Sequence, residues 1–178
     1  MRIISGSHRS RRIIPPANLP VRPTTDLAKE SLFNILWNYV DIEKCRVLDL
    51  FAGTGNLSYE FASRNCIEVV SVEINHRCTD FINKTALSLN FKSIKVVRAD
   101  VFHFLNRQGS PFDIVFADPP YDLKDIMSIP DRVLNNNWLN QDGFLILEHP
   151  GTLDFRMQAS FMEVRNYGKA HFSFFHKE

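Results

Sequence analysis

Residues 112–121 read FDIVFADPPY, an apolar run closed by an acid, two prolines and an aromatic. Ile114 to Ala117 is apolar without alternation, the pattern of a strand covered on both faces in the middle of a parallel sheet. Pro119 and Pro120 lack the N–H that a ladder needs, so the strand ends at Asp118 and the chain turns stiffly there. In open α/β sheets, ligands bind at the carboxyl ends of the strands. This turn offers a carboxylate, peptide carbonyls that no following strand must occupy, and an aromatic face. Such a set suits a planar group carrying an amine.

Outward from this strand, apolar runs alternate with helical patterns. Strands are predicted at Arg46–Leu50, Glu68–Val72, Ile94–Arg98 and Gly143–Glu148, with helices at about Leu57–Arg64, after Asn75, and from Val101 to about Arg107. Residues 124–137 look helical but broken at Pro130. Strand and helix in turn imply right-handed crossovers and a parallel sheet with helices on both faces. Beyond Pro150 the pattern changes to two strand-like runs, Phe161–Tyr167 and Ala170–His176, which predict an antiparallel hairpin turning near Gly168-Lys169. Ahead of the sheet, Thr24-Thr25-Asp26 opens a helix. Its buried face is expected to hold Leu32, Ile35, Leu36, Tyr39 and Val40, widened by Phe33 and Trp37.

The first 25 residues differ in character. They contain Arg2, Arg9, Arg11, Arg12 and Arg22 and no acid, on a chain of 178 residues whose formal net charge is only +1. A basic arm on a neutral body points to an anionic partner, nucleic acid first. The runs Arg2–Ser5 and Arg11–Ile14 flank Gly6–Ser10 as a short hairpin, followed by an extended linker through Pro15, Pro16, Pro20 and Pro23. Too small to be stable alone, the hairpin either docks on the main domain or orders on RNA. Cys45, Cys66 and Cys78 are far apart without a C-x-x-C pair, which indicates neither a disulfide frame nor a metal site. With no apolar leader after Met1 and no run of membrane-spanning length, a cytoplasmic protein is expected.

Three further strand ends carry ligand chemistry. Asp49-Leu50-Phe51-Ala52-Gly53-Thr54-Gly55 makes a glycine turn between strand and helix, where a ligand can approach the backbone and meet amides at the helix start. The third glycine of the dinucleotide fingerprint is replaced by Ser58, which disfavours a pyrophosphate cofactor. Glu73, twenty residues past Gly53, can accept both hydroxyls of a ribose. Asp100 can accept an adenine amine with Ile74 or Val101 packing on the ring, or can simply cap the next helix. These ends describe an adenosine-binding edge, for a nicotinamide dinucleotide or S-adenosylmethionine. Asp118-Pro119-Pro120-Tyr121 decides between them. An amine conjugated to a nucleobase is a poor nucleophile. Methyl transfer to it needs its N–H groups held by acceptors, here Asp118 and the Pro119 carbonyl, beside the donor and with Tyr121 stacked on the base. A base presented in this way is splayed out of any helix.

With these residues the chain resembles the class I S-adenosylmethionine-dependent methyltransferases, and within them the RsmD-type family. Those enzymes methylate the N2 amine of one guanine in bacterial 16S rRNA. The similarity runs through Arg2-Ile3-Ile4-Ser5-Gly6, Arg9-Ser10-Arg11, Arg22-Pro23-Thr24-Thr25-Asp26, Lys29-Glu30-Ser31-Leu32-Phe33-Asn34, Leu48–Gly55 and Asp118–Tyr121. It departs at Asn56-Leu57-Ser58-Tyr59-Glu60 and is loose after Leu123. The resemblance implies a doubly wound, mostly parallel seven-stranded sheet with an antiparallel C-terminal hairpin. Residues 1–40 would be an extension and 41–178 the catalytic domain. It further implies S-adenosylmethionine held by Asp49, Phe51, Gly53, Thr54, Gly55, Glu73, Ile74, Asp100, Val101 and Asp118. RNA would lie on Arg2, Arg9, Arg11, Arg12, Arg22, Thr24 and Tyr121. The implied partner is 16S rRNA within a small subunit or its assembly intermediate, met by a monomer.

Other readings have specific points against them. A DNA adenine-N6 methyltransferase shares D-P-P-Y, but 178 residues leave no separate domain for reading DNA sequence. Protein-glutamine methyltransferases usually carry Asn in place of Asp118. A nicotinamide oxidoreductase lacks its third glycine here. A catalytically dead RNA-binding scaffold would have lost an acid or proline of the site, and none is lost.

Overall fold

The computed structural model describes residues 1–17, 19, 25–168 and 170–178. Its elements in chain order are α1 (Asp26–Leu36), β1 (Arg46–Leu50), α2 (Asn56–Ser63), β2 (Glu68–Glu73), α3 (His76–Ser88), β3 (Ile94–Arg98), α4 (Val101–Leu105), β4 (Phe112–Ala117), α5 (Ile129–Asn135), β5 (Leu139–His149), β6 (Phe161–Tyr167) and β7 (Ala170–His176). The strands form one seven-stranded sheet in the order β3-β2-β1-β4-β5-β7-β6. β1 to β5 are parallel, and β7 runs antiparallel to both β5 and β6. β4 pairs between β1 and β5, so the sheet's centre is the strand that ends in Asp118.

Period-two alternation divides the core into two layers. Val47, Ile114, Phe116, Ile146, Phe172 and Phe174 face α1, α2 and α3. Leu48, Leu50, Val115, Ala117, Leu145 and Leu147 face α4 and α5. Because both faces are covered, the central strands carry no polar alternation and read as continuous apolar runs. The arm docks rather than hanging free. Arg2 and Arg12 form an antiparallel bridge, and Ile3 and Ile13 are buried in the same layer as α1 and α2.

Three elements differ from the sequence expectation. Thr25 caps α1 by accepting the Ala28 N–H, but the helix stops at Leu36. Its buried stripe is therefore Ala28, Lys29, Leu32, Phe33 and Leu36, while Trp37 is 79 % exposed and Tyr39 45 %. Pro130 does not interrupt a helix. It sits in the first turn of α5, where its missing N–H has no intrahelical partner to lose. β5 begins at Leu139, four residues before the expected start. Its pairing with β4 jumps from Phe112↔Leu139 to Ile114↔Phe144, so the intervening residues bulge past Asp113. The β6–β7 hairpin has the expected bounds, and Lys169 in its turn lies outside the described residues.

Candidate active site at the carboxyl edge of the sheet

The ends of β1, β2 and β3 build one half of the edge. Gly53 and Gly55 both take positive φ, 56° and 81°. A Cβ on Gly55 would stand 2.8 Å from the ring of Tyr59, so both torsion and space require glycine at that position. Glu73 closes β2 with a fixed carboxylate: Oε2 accepts the Gly53 N–H at 2.8 Å and Oε1 the Asn75 N–H at 2.8 Å. A carboxylate has about four lone-pair sites, so both oxygens keep capacity for a diol. The same contact ties the end of β2 to the glycine turn after β1. Ile74 beside it is 62 % exposed, an apolar surface at the ligand edge. Asp100 Oδ1 caps α4 through the His103 N–H at 2.8 Å.

Other residues expected around the cofactor sit deeper. Val101 and Thr54 are each 3 % exposed, and Val101 packs in the core layer of α4 and α5. Phe51 is half-buried at φ 60° with its ring edge-on to Phe102. Asp49 is 2 % exposed and accepts the hydroxyl of Ser58, which also lies 2.7 Å from the Ser71 hydroxyl. The position that a dinucleotide fingerprint would give to its third glycine is thus filled by a side chain that bonds α2 to β1 and β2.

Burial pushes the Asp49 carboxyl up to about 7, against the Ser58 hydrogen bonds that favour its anion. A carboxyl raised in the folded state stabilises most below its unfolded pKa, near 4. That contribution is lost as pH rises through the folded value. Between pH 4 and 8, Asp49→Asn therefore gains roughly 2–4 kcal/mol of stability relative to the native chain. Urea unfolding of both proteins across that range measures it, and a pH-independent difference would refute the assignment.

The other half of the edge belongs to β4 and β5. Phe116 pairs with Ile146 and Ala117 with Leu147, so Asp118 and Glu148 come next in register on adjacent strands. By alternation both follow Phe116 and Ile146 onto the face covered by α1 and α2. Asp118 is half-buried, Pro119 buried, and Pro120 and Tyr121 exposed. The Pro120 carbonyl accepts the Leu123 N–H, which tightens the turn. Among the described residues, no backbone N–H is donated to the Pro119 carbonyl. Tyr121 donates its hydroxyl to Glu148 Oε1 at 3.3 Å, and Glu148 is 7 % exposed. Glu148, which closes an apolar run in the sequence and is placed near the site by that strand end, thus comes beside Asp118 by register. Arg22 and Thr24 lie outside the described residues.

The arm is held on α2 along its length. Ser7 N–H donates to the Ser63 carbonyl, Ile4 N–H to the Glu60 carboxylate, and Thr54 touches the Met1 sulfur. Its tip therefore points away from Asp118, about 12 Å down the eight residues of α2. There Arg9 lines a groove of about 1050 Å3 with Trp37, Tyr39, Asp41 and Arg64. That groove lies at the amino edge, remote from the carboxylates described above, so it is not the chemical site. Arg9, Arg11 and Arg12 are exposed, and among the described residues none of them forms an ion pair. Arg2 is paired with Asp26 at 3.2 Å.

Beneath the arm lies a charged cluster that helix periodicity hides. Lys29 is fully buried and donates to the Arg2 carbonyl and, at 3.0 Å, to Asn56 Oδ1. Glu60, also fully buried, pairs with Arg64 at 3.1 Å. Burial lowers the Lys29 pKa, opposed by the charges of Glu60 and Asp26.

No helix among the described residues is long and apolar enough to cross a membrane, and no cluster of metal-ligating side chains occurs among them. The family model described as conserved hypothetical protein 95 matches residues 1–176. Ribosomal RNA small subunit methyltransferase D of Buchnera aphidicola subsp. Baizongia pistaciae is 31% identical over 154 residues, covering 86% of this chain and 78% of that protein. A solved structure titled putative methyltransferase yhhF from Escherichia coli superposes with a TM-score of 0.87 at 28% identity, covering 100% of this chain and 98% of that one. The T. thermophilus 16S rRNA N2 G1207 methyltransferase (RsmC), solved with AdoMet and guanosine, shares the fold. Its TM-score is 0.72 at 22% identity, over 90% of this chain and 45% of that one. An arm, a glycine turn and a D-P-P-Y edge on one seven-stranded sheet, matched over almost the full length, place the chain in the conserved hypothetical protein 95 family, that of the RsmD methyltransferases.

Proposed function

We propose that this protein transfers a methyl group from S-adenosylmethionine to the exocyclic N2 amine of a guanine in 16S rRNA. The observation that carries the reading is the edge itself. A half-buried Asp118 and a Pro119 carbonyl that receives no backbone N–H among the described residues stand two strands from the Glu73 carboxylate. S-adenosylmethionine is the methyl donor, with Glu73 accepting from its ribose and Ile74 and Asp100 flanking its base. Its sulfonium supplies an electrophilic methyl carbon and leaves as a neutral thioether as the N–C bond forms. Asp118 and the Pro119 carbonyl accept the two N–H bonds of the amine and so turn its lone pair toward that carbon. The Asp118 carboxylate then takes the released proton. Tyr121 stacks on the flipped base. Orientation and preorganised acceptors supply the rate, without a covalent enzyme intermediate.

Residues 1–40 serve as an RNA-gripping extension of the catalytic domain 41–178, acting as a monomer in the cytoplasm on a small subunit or its precursor. Support for the grip is Arg9, Arg11 and Arg12, exposed and without an ion pair among the described residues, on an arm whose tip lies at the far end of α2, where they would hold phosphates well away from the target base. Replacing Arg9 and Arg11 together by Ala should weaken RNA binding several-fold. It should also reduce the slope of log K against log salt by about 1 to 2. A slope equal to that of the native chain would mean that the arm does not touch phosphates.

Labelled S-adenosylmethionine offered with small subunits, naked rRNA, DNA and protein fractions tests the reaction. The expected product is N2-methylguanine released from the rRNA. Label found only in protein or DNA, or on adenine N6, overturns the reading.

A further inference from the structure

We infer that Glu148 selects guanine at this site by accepting the base's N1–H. The inference rests on the guanine-N2 reading and names the residue that makes the site choose that base. Glu148 is next to Asp118 in register, on the neighbouring strand and the same sheet face. Strands stand about 4.8 Å apart, the scale on which two neighbouring groups of one base edge can be read separately. Guanine's N1 and N2 are both bonded to C2. A base whose N2 amine lies against Asp118 and the Pro119 carbonyl thus turns its N1 toward one side of that pair, where the adjacent strand holds Glu148. The hydroxyl of Tyr121 fixes one oxygen of Glu148 at 3.3 Å, which links the stacking residue to the edge reader.

The chemistry discriminates sharply. Guanine offers a proton at N1, and the carboxylate of Glu148, a residue 7 % exposed, takes it as a charge-assisted hydrogen bond. Adenine offers a lone pair at N1, which repels the carboxylate and leaves it without that donor. A site built to bond a proton rejects an analogue that lacks it far more strongly than a site built on shape. Asp118 alone supplies no such choice, because both bases carry an exocyclic amine.

The test uses 2-aminopurine, which keeps the amine on C2 but has no proton on N1. The nucleotide labelled by the native enzyme in small-subunit rRNA is first mapped. The same RNA is then made by ligation with guanosine or 2-aminopurine riboside at that position. The native enzyme is expected to prefer guanosine by at least about 100-fold in kcat/KM. Glu148→Gln should narrow that ratio at least tenfold, because its amide can donate to a bare N1. Tyr121→Phe, which keeps the ring and removes the hydroxyl, should preserve the preference whatever it does to the rate. Equal losses on both RNAs in Glu148→Gln would overturn the assignment and leave Glu148 as a support for Tyr121. A native enzyme that uses both RNAs alike would overturn it without any variant, so the test survives a variant that fails to fold. Guanine-N2 labelling with an unmoved ratio refutes Glu148 alone. Label on adenine N6, DNA or protein refutes the underlying reaction and this assignment with it.

Discussion

Asp118→Ala lowers kcat for methyl transfer by about a thousandfold while the dissociation constant of S-adenosylmethionine changes by less than about threefold. The reason is the division of labour along the edge. In the proposed arrangement the donor's ribose and base are assigned to the ends of β2 and β3, where Glu73, Ile74 and Asp100 stand. Asp118 ends β4, separated from β2 by the whole of β1, about 10 Å across the sheet. In the proposed reaction its carboxylate acts on the amine, whose delocalised lone pair is useless until the N–H groups are held and one proton has an acceptor. Removing one preorganised group of this kind costs on the order of 10²–10³, and removing the proton acceptor adds to that. Asp118→Asn keeps an acceptor oxygen but not the proton sink, so it should fall between the native chain and the alanine variant. Single-turnover transfer with labelled donor, beside calorimetric titration of the donor alone, separates the two quantities. Turnover within tenfold of native in Asp118→Ala would remove this residue from the catalytic role.

The middle of the sheet was legible because its central strands are buried on both faces. Where no polar alternation competes, an apolar run such as Ile114–Ala117 can be little else, and β1, β3, β6 and β7 have the bounds expected from sequence. Reading failed where tertiary contacts outweighed local pattern. Trp37 and Tyr39 continue a helical spacing that the chain abandons at Leu36. The early start of β5 depends on a bulge opposite Asp113, where Asn140 Nδ2 reaches that carboxylate at 2.7 Å, a bond between residues 27 apart. At the site, strand ends were legible from punctuation: Glu73, Asp100 and Asp118 each stand where an apolar run stops. Glu148 also ends such a run, but its place beside Asp118 follows only from the pairing of β4 with β5. Asp49 and Ser58 lie nine residues apart, and nothing local shows that they meet by a buried hydrogen bond. Lys29 and Glu60 were the least legible, since a charged residue on a helix is nearly always on its wet face.

Lys29→Met should destabilise the protein by about 3–5 kcal/mol, the largest stability effect expected of an exchange away from the chemistry. The apolar volume fits, but the Arg2 carbonyl would lose its ammonium donor and the fully buried Glu60 would keep Arg64 as its one nearby cation among the described residues. Breaking a buried charge cluster by removing one member costs far more than replacing its members together by apolar groups. The double variant Lys29→Met with Glu60→Leu should therefore recover part of the loss, with a coupling of about 1 kcal/mol or more. For a domain of this size the single variant loses roughly 8–15 °C in Tm. The loss is also local. Lys29 holds the Arg2 carbonyl and Glu60 holds the Ile4 N–H, so this pair fastens the arm to α1 and α2. Trypsin should then cut at Arg9, Arg11 or Arg12 faster in Lys29→Met than in the native chain at equal global stability. RNA binding should fall with it, although no phosphate-facing residue has changed. Asn56, which also receives the Lys29 ammonium, starts the helix that follows Gly55, so the same fastening reaches the cofactor turn. A Tm within about 2 °C of native, with unchanged arm cleavage, would show that the buried ammonium is dispensable and that the apolar contacts of Ile3 and Ile13 with the bonds to Glu60 and Ser63 suffice to dock the arm.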